Sequence, residues 1–589
     1  LAANIEANDG FLYNPKYAYD WMTFQDLSRF TGSAQAEFRP ITWLALNGNV
    51  GLDRFAREEV NRLPRNTLYG AFGPPYQNGF IQNFGYDIYN LTTNASGTAV
   101  FNLNSDLTST TSLGTQYLRE TLHRIYAFGS VLTPGVEESL AGATAYFESG
   151  EDNTLNATVS AYAQQQLGWR DRLFLSGALR GDQNTAFGQN LGWVWYPSVS
   201  ASWVVGDESF FPDIAAISNL RLRAAWGQSG LRPGPTDALQ SFGPVIQPFA
   251  GAAAPGIVFD EIGNPDLKPE VATEWELGFE SGFLDERLGL DLTYFNKTSK
   301  DALVSRPLAP SLGASDSRFE NLGKVKNSGV EVLVNAQLVR AADFGWDMNV
   351  SGSAIKNELD LLGLDAEGNP LPDIVFGLLG DTQRHAEGFA LGSWFQSPIT
   401  EYNDANGDGI LVPSEVTVNS DTSVFLGNPF PNREFSFSSS VTYRDFLRLS
   451  GLLDFKGGHE QMNFTRLNRC ELPNAVCEEM YDPTTPLDVQ AANVAWNYYD
   501  TAAGYVEKAD FWKLREVALT LSVPQSIVDR VGRFSGLSVT LAGRNLKTWT
   551  DYSGFDPEVS FAGQSNFNSG DAGTLPPNRI YTIRLDANF

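Results

Sequence analysis

Apolar and polar residues alternate with a period of two through most of this chain. Near the C-terminus, Tyr581, Ile583, Leu585, Ala587 and Phe589 share one parity, and Thr582, Arg584, Asp586 and Asn588 take the other. From Glu434, Phe435, Phe437, Val441 and Tyr443 alternate with Ser436, Ser438, Ser440, Thr442 and Arg444. The stretches Leu288-Leu290-Leu292-Tyr294, Val330-Val332-Val334-Ala336 and Val517-Leu519-Leu521-Val523 repeat the pattern. Successive side chains of a strand point to opposite faces, so each segment has one apolar and one polar face. The pattern predicts about seventeen strands, near 33–39, 42–52, 97–113, 120–132, 155–166, 171–182, 193–205, 219–229, 272–283, 287–299, 324–339, 345–357, 432–444, 446–457, 510–523, 536–548 and 578–589. Many are longer than the usual five or six residues. About nine to eleven tilted residues cross a bilayer.

The connections carry a second regularity. Short turns at Pro40-Ile41, 168–170, 284–286, 340–344 and Asp445 alternate with long loops over 53–96, 133–154, 230–271, 300–323, 358–431, 458–509 and 549–577. Short turns at one end and long loops at the other fit an all-β chain folded as a transmembrane antiparallel β-barrel. The rival is a soluble all-β protein, such as a secreted glycan-binding sandwich array or propeller. That architecture would show a repeat of about 40–50 residues, and none is found. With the C-terminal strand ending on the periplasmic side, every long loop falls outside and every short turn inside. The first strand then runs inward, whereas barrels normally begin with an outgoing one, so an odd number of strands is expected upstream.

Composition sharpens this picture. The 589 residues include 69 Asp and Glu against 41 Lys and Arg, a net charge of −28, which disfavours nucleic acid as a partner. Charged residues make up only 19% and aromatics 12%, a combination that lipid-facing strand surfaces and aromatic girdles explain. No apolar run reaches the length of a transmembrane helix. The chain opens Leu1-Ala2-Ala3-Asn4, without a basic start and apolar core, and so reads as a processed chain or a fragment. Length alone suggests about four domains; alternation nearly from end to end replaces them with one barrel over 1–589.

Local motifs carry little chemistry. Asp404-Ala405-Asn406-Gly407-Asp408-Gly409-Ile410, with Glu415 at the twelfth position, fits a calcium loop. Asp404, Asn406 and Asp408 offer oxygens at positions one, three and five, Gly409 permits the tight turn, Ile410 offers its carbonyl and Glu415 a carboxylate. Val412 and Pro413 offer no side-chain ligand, so water would complete the shell; an acidic Asn/Gly turn without metal is the alternative. EF-hand helices are not expected around it, so a Ca2+ role here is structural. Cys470 and Cys477, in a loop expected to be external and oxidising, are expected to form a disulfide; two free thiols are the alternative. No GxSxG, HExxH, P-loop or GxGxxG occurs, His123, His385 and His459 are far apart, and no catalytic residue is assigned. Trp193, Trp195, Trp203, Trp226 and Tyr443 are expected in interfacial girdles. Trp496, Tyr498, Tyr499, Trp549 and Tyr552 are placed in loops, where they either pack or stack on a ligand; the substrate-binding residues are unknown.

Several blocks occur in order: Asp171-Arg172-Leu173, Arg180-Gly181-Asp182, Tyr196-Pro197-Ser198 through Trp203, and Leu220-Arg221-Leu222-Arg223 through Gly230. Asn264-Pro265-Asp266-Leu267-Lys268-Pro269-Glu270, Gly329-Val330-Glu331, Gly543-Arg544-Asn545-Leu546 and Gly554-Phe555-Asp556-Pro557-Glu558 follow. Together they resemble the SusC/RagA-type TonB-dependent outer-membrane receptors. Terminal Phe589 matches the aromatic ending that serves as the family's assembly signal. The resemblance implies a barrel of roughly 22 strands, of which the sixth to the last would lie here, with the N-terminal plug and TonB box absent from this chain. It also implies TonB-driven import of an oligosaccharide or peptide across the outer membrane. The implied partners are a SusD-like surface lipoprotein, the TonB complex and outer-membrane lipid. Acidic loops like 404–415 occur in the family as well. A plugless passive or scaffold barrel in a surface assembly is the alternative within the same fold.

Overall fold

The computed structural model describes residues 21–65, 78–212, 214, 216–249, 252–307, 317–364, 368–444, 446–472, 477–532, 534–563, 567 and 569–588. Its main sheet has seventeen strands. They are β1 (Met22–Ile41), β2 (Leu44–Leu63), β3 (Phe80–Asn102), β4 (Leu107–Leu132), β5 (Ala143–Trp169), β6 (Leu173–Asn184), β7 (Val194–Val204), β8 (Ile217–Leu231) and β9 (Glu270–Phe283). β10 (Leu288–Pro307), β11 (Ser317–Arg340), β12 (Phe344–Leu361), β13 (Arg433–Tyr443), β14 (Leu447–Gly457), β15 (Phe511–Ser522), β16 (Gly536–Thr550) and β17 (Ile580–Asn588) complete it. Each strand pairs antiparallel with the next in sequence. Among the described residues, β1 and β17 each have a single neighbour.

The strand total agrees with the sequence reading, but several boundaries do not: Ile41 ends β1 rather than lying in a turn, β5 already begins at Ala143 within the expected loop 133–154, and β10 and β11 reach to Pro307 and from Ser317 within the expected loop 300–323. No single strand covers 97–113: β3 ends at Asn102, and a turn over 103–106 leads into β4. In that turn the Asp106 N–H donates to the Asn104 side chain at 2.8 Å. Nor is 53–96 a loop, since β2 runs on to Leu63 and β3 begins at Phe80. β4 and β5 span 26 and 27 residues, about 85 Å of strand, far more than a bilayer needs. Their upper halves stand in water on both faces, where nothing selects apolar residues on one side, and the alternation fades there.

Ladder partners share a face, so the registers assign every side chain to one of two surfaces. Trp226 lies opposite Trp275, and Phe435, Phe455, Trp512 and Trp549 follow one another across β13 to β16. These rings form an upper outward belt. A lower belt at the short-turn end includes Trp203 against Phe210, Trp43 against Phe101, and Tyr443 against Phe446. On β7 and β13 the belts are about eight residues apart, which at ~3.3 Å per residue and a tilt near 40° gives roughly 20 Å of height, the order of an outer-membrane apolar band. Trp193, Trp195, Trp203, Trp226 and Tyr443 are partly exposed strand or strand-edge residues, as the girdle expectation requires.

The assignment of faces makes a direct prediction. Val332 lies on the outward face of β11 between Leu292 and Gly352, and Glu331 on the inward face. In the full-length protein, Val332→Arg is expected to cost about 2–4 kcal/mol in denaturant unfolding from lipid vesicles, and Glu331→Gln under about 1 kcal/mol. Equal costs would contradict the assignment.

Candidate functional site

The inward face is built from the other parity and is polar from β5 to β14. From β8 to β14, Arg223, Glu274, Glu276, Asp291, Glu331, Glu434 and Asp454 line a cavity of about 730 Å3. Arg223 bridges Glu280 at 2.9 Å and Asp291 at 2.6 Å, and Arg221 reaches Glu280 at 3.5 Å. Next to it, Gln166, Ser176, Ser200 and Ser202 help line a cavity of about 450 Å3. Hydroxyls, amides and paired charges on one side of a one-layer wall, with aromatics and aliphatics on the other, are what a barrel between lipid and water requires.

A compact ion cluster ties the last long loop to this wall. A β-bulge between Leu514 and Glu516 inserts Arg515 as an extra residue in β15, and such an insertion re-aims a side chain. Lys513, only 2% exposed, donates to Asp556 at 2.8 and 3.0 Å and to Glu558 at 2.7 Å. Arg515 grips Glu558 through two bonds of 2.7 and 2.6 Å and reaches Asp454 at 2.8 Å. Burial by itself would raise the Glu558 carboxyl, but the hydrogen bonds from Arg515 and Lys513 outweigh it and bring it down to about 2. The block 554–558 therefore does more than mark a resemblance, because its two acids lock the loop 551–579 against β14 and β15.

Above the barrel the long loops fold into a cap with its own core. Trp394, Met462, Leu467, Ala492, Ala502 and Tyr505 form a buried cluster, contributed by the short strands Ser393–Gln396 and Glu460–Met462, helix α1 (Phe464–Arg469), helix α2 (Leu487–Tyr499) and the segment 502–505 that follows it. The loop 404–415 closes the hairpin of Ile399–Tyr402 and Val416–Val418, so strands flank it rather than EF-hand helices. Leu411, Val416, Ala491 and Val494 seat this hairpin on α2. Gln490 of α2 accepts from the Leu411 N–H and donates to the Gly409 carbonyl, both at 2.8 Å. Gly409 has φ +84°, and a Cβ there would meet Pro483 at 2.7 Å, so glycine is needed for both conformation and space.

Within the loop the carboxylates meet backbone donors. Asp404 accepts from the N–H groups of Gly407 and Gly409, each at 2.9 Å. Glu415 accepts from Ala405 at 2.9 Å and Val412 at 3.1 Å, and Asp408 from Ile410 at 2.8 Å. Asn406 accepts from the Asp408 N–H at 2.9 Å. The donor set is all oxygen and suits a hard cation. The Asp404, Asp408 and Glu415 carboxylates do not converge as a metal-ligating triad; among the described residues that spacing is met by Cys470, Cys477 and Glu479. Cys470 and Cys477 are joined as a disulfide, Cα atoms 5.2 Å apart and both side chains buried.

The remaining candidates divide between packing and exposure. Trp496 packs on the cap core, the Tyr499 hydroxyl donates to the Pro413 carbonyl at 2.6 Å, and Tyr552, 5% exposed, donates to Asp571 at 3.2 Å. Trp549 belongs to β16 and the upper belt, not to a loop as expected, because its strand runs on to Thr550. Tyr498 and Trp549 are the exposed members of the group, at 57% and 48%. His385 and His459 lie in the cap and at its base, and burial brings both down to about 4, leaving them neutral at pH 7. His123 is on β4 and bonds Asn153. Phe589 lies outside the described residues.

The ion cluster gives a pH prediction. A carboxyl lowered from about 4.5 to about 2 contributes stability that is complete above pH ~4.5 and is lost as pH falls towards 2. Protection factors of 551–579, corrected for the intrinsic pH dependence of amide exchange, are expected to fall over that window. Glu558→Gln is expected to remove the step and to weaken the anchor at neutral pH, by on the order of 3 kcal/mol. Protection factors that stay constant from pH 5 to 2 in the native protein would refute the assignment.

Known proteins agree with this architecture. Residues 1–546 match the family described as TonB dependent receptor-like, beta-barrel. TonB-dependent receptor P3 of Formosa agariphila is 26% identical over 469 residues, covering 74% of this chain and 46% of the relative. TonB-dependent receptor SusC of Bacteroides thetaiotaomicron is 26% identical over 326 residues, 50% of this chain and 32% of SusC. The chain thus spans about half the length, or less, of these curated relatives. The solved RagAB peptide transporter superposes with a TM-score of 0.80 at 18% identity, over 98% of this chain and 63% of that one, a likeness of fold. The chain belongs to the TonB dependent receptor-like beta-barrel family, is of the SusC/RagA type, and is an outer-membrane protein.

Proposed function

We propose that this chain is the barrel portion of a TonB-driven importer that carries an oligosaccharide or peptide across the outer membrane, with a SusD-like lipoprotein over its external cap. The observation that carries this reading is the polar inner wall from β5 to β14, lined by cavities of several hundred Å3, in a chain of this family. The RagAB structure is that of a peptide transporter, which supports the peptide class, and the SusC and RagAB relatives support a partner lipoprotein. Expression of the full-length gene in a deletion strain, with growth on defined glycans and peptides, tests it. Uptake is expected to need both TonB and the adjacent lipoprotein. Uptake that persists without TonB would favour the passive barrel.

In the same reading, Ca2+ is the cofactor of the loop 404–415, held by Asp404, Asn406, Asp408, the Ile410 carbonyl and Glu415. Its role is structural, fixing the hairpin on α2. The all-oxygen donor set and the glycine at the tight turn support this. A hundredfold excess of Ca2+ over its Kd is expected to stabilise the cap by about 2.7 kcal/mol, read as protection of 399–418 from protease. Glu415→Gln is expected to abolish that protection, and protection equal with Mg2+ or absent with Ca2+ would count against the site.

A further inference from the structure

The outward face changes character immediately above the upper belt over β10 to β13. Val330 lies opposite Tyr294 and Ala354 and marks the top of the apolar band. With the β10–β11 register unbroken above it as far as the Lys300–Lys324 pair, Lys326 and Lys324 of β11 and Lys300 of β10 face outward, as does Lys356 of β12 opposite Ser328; the β11–β12 ladder shifts between Lys324 and Val325. Arg433 of β13, opposite Ala354, joins them. Five cations thus stand on four adjacent strands of a chain whose net charge is −28. Three acids answer them in part: Asp360 bonds Lys324 and Lys326, Glu358 bonds Lys356, and Asp510 approaches Arg433 at 3.9 Å. The patch remains net positive.

Beside Lys356 a cleft of about 470 Å3 opens where β12 and β13 part company. Ala354 and Arg433 form their last ladder pair. Above it, Phe389, Phe425 and Phe430 line the cleft, with Pro429 and Asn428. Phe425 and Phe430 are 41% and 43% exposed, and Lys356 is exposed as well. Apolar rings beside Lys356, one of the outward cations above the apolar band, present an amphiphile with both of its halves. The loop 362–432 that supplies the rings carries ten acids and a single arginine, Arg384. Without the lysines below it, that loop would repel an anionic membrane surface.

We propose that Lys300, Lys324, Lys326 and Lys356, with the Phe389–Phe425–Phe430 cleft, bind the phosphate-bearing headgroup of an outer-leaflet lipid. Charge-assisted bonds hold the phosphate, and the cleft takes the apolar part next to it. The site fixes the depth of this sector of the barrel and tethers the base of the 362–432 loop to the membrane. The ligand is a component of the bilayer, so free phosphate is not expected to compete.

The test uses the full-length protein in nanodiscs of phosphatidylcholine with one-fifth phosphatidylglycerol, and mass spectrometry of the lipid that survives detergent exchange. Retained lipid is expected to be enriched in phosphatidylglycerol about fivefold over the bulk, and the enrichment is expected to fall in 0.5 M salt. Lys324→Gln/Lys326→Gln/Lys356→Gln is expected to return the ratio to bulk, and Phe430→Ser to lower it about twofold. Arg119→Gln, a charge removal on the outward face of β4, is expected to leave it unchanged. A heat-modifiable gel shift confirms that each variant is folded. No enrichment in the native protein, an equal loss in Arg119→Gln, or full enrichment in the triple variant would overturn the proposal. Displacement by inorganic phosphate, or retention of a neutral oligosaccharide in place of lipid, would overturn it too.

Discussion

In a lipid interior no water is present to satisfy backbone N–H and C=O groups, and each one left unpaired costs several kcal/mol. That constraint dictates the rest of this molecule. A spanning strand must give every N–H to a neighbour, so the chain runs as one antiparallel meander in which each strand pairs with the next. A single layer with lipid on one side and water on the other then forces apolar and polar residues to alternate. The serines of β13 and the phenylalanines that interleave with them are the two halves of that one requirement.

The sequence is legible where that constraint acts and illegible where it lapses. The number of strands, the two-sidedness of β9 to β17 and most of their limits follow from alternation alone. The upper half of β2, with Arg57, Glu58, Glu59 and Asn61, has water on both faces, and its polar run reads as a loop although the backbone remains fully paired with β3. The turn at 103–106 does leave a signal, since Asn104-Ser105-Asp106 is a cluster of turn formers. Its flanks are strands of the same parity, and the alternation runs straight across it. Trp549 reads as a loop residue for a related reason: β16 continues past a local irregularity at Leu546 and keeps its outward ring in the belt.

The long loops obey a different rule. A segment the length of 362–432 or 458–510 pays conformational entropy for being ordered, and loops of that size usually carry structure or function of their own. These two acquire a core, with Trp394 and Tyr505 buried beside α1 and α2, and a disulfide at the end of α1. Its contacts join residues about a hundred positions apart, for which periodicity has no signature. The same holds for Lys513 and Asp556. Each sits in a recognisable block, but the pairing across 43 residues is a fact of three dimensions.

Charge is partitioned along the same boundary. On the inner wall, acids are met by arginines at hydrogen-bonding distance, as with Arg223, Glu280 and Asp291, so the passage is polar without a steep field. The two largest loops hold ten acids against one base over 362–432, and eight against three over 458–509. They supply a net fourteen negative charges, half of the chain's excess. Above the membrane that excess is screened within about 8 Å at physiological salt and tolerates little pairing. At membrane depth the low dielectric penalises every unpaired charge, and pairing is the rule. The acidic composition therefore reports mainly on the cap, and the barrel below it is close to balanced. A solute approaching from outside meets a negative surface first and a neutralised, hydrogen-bonding wall second.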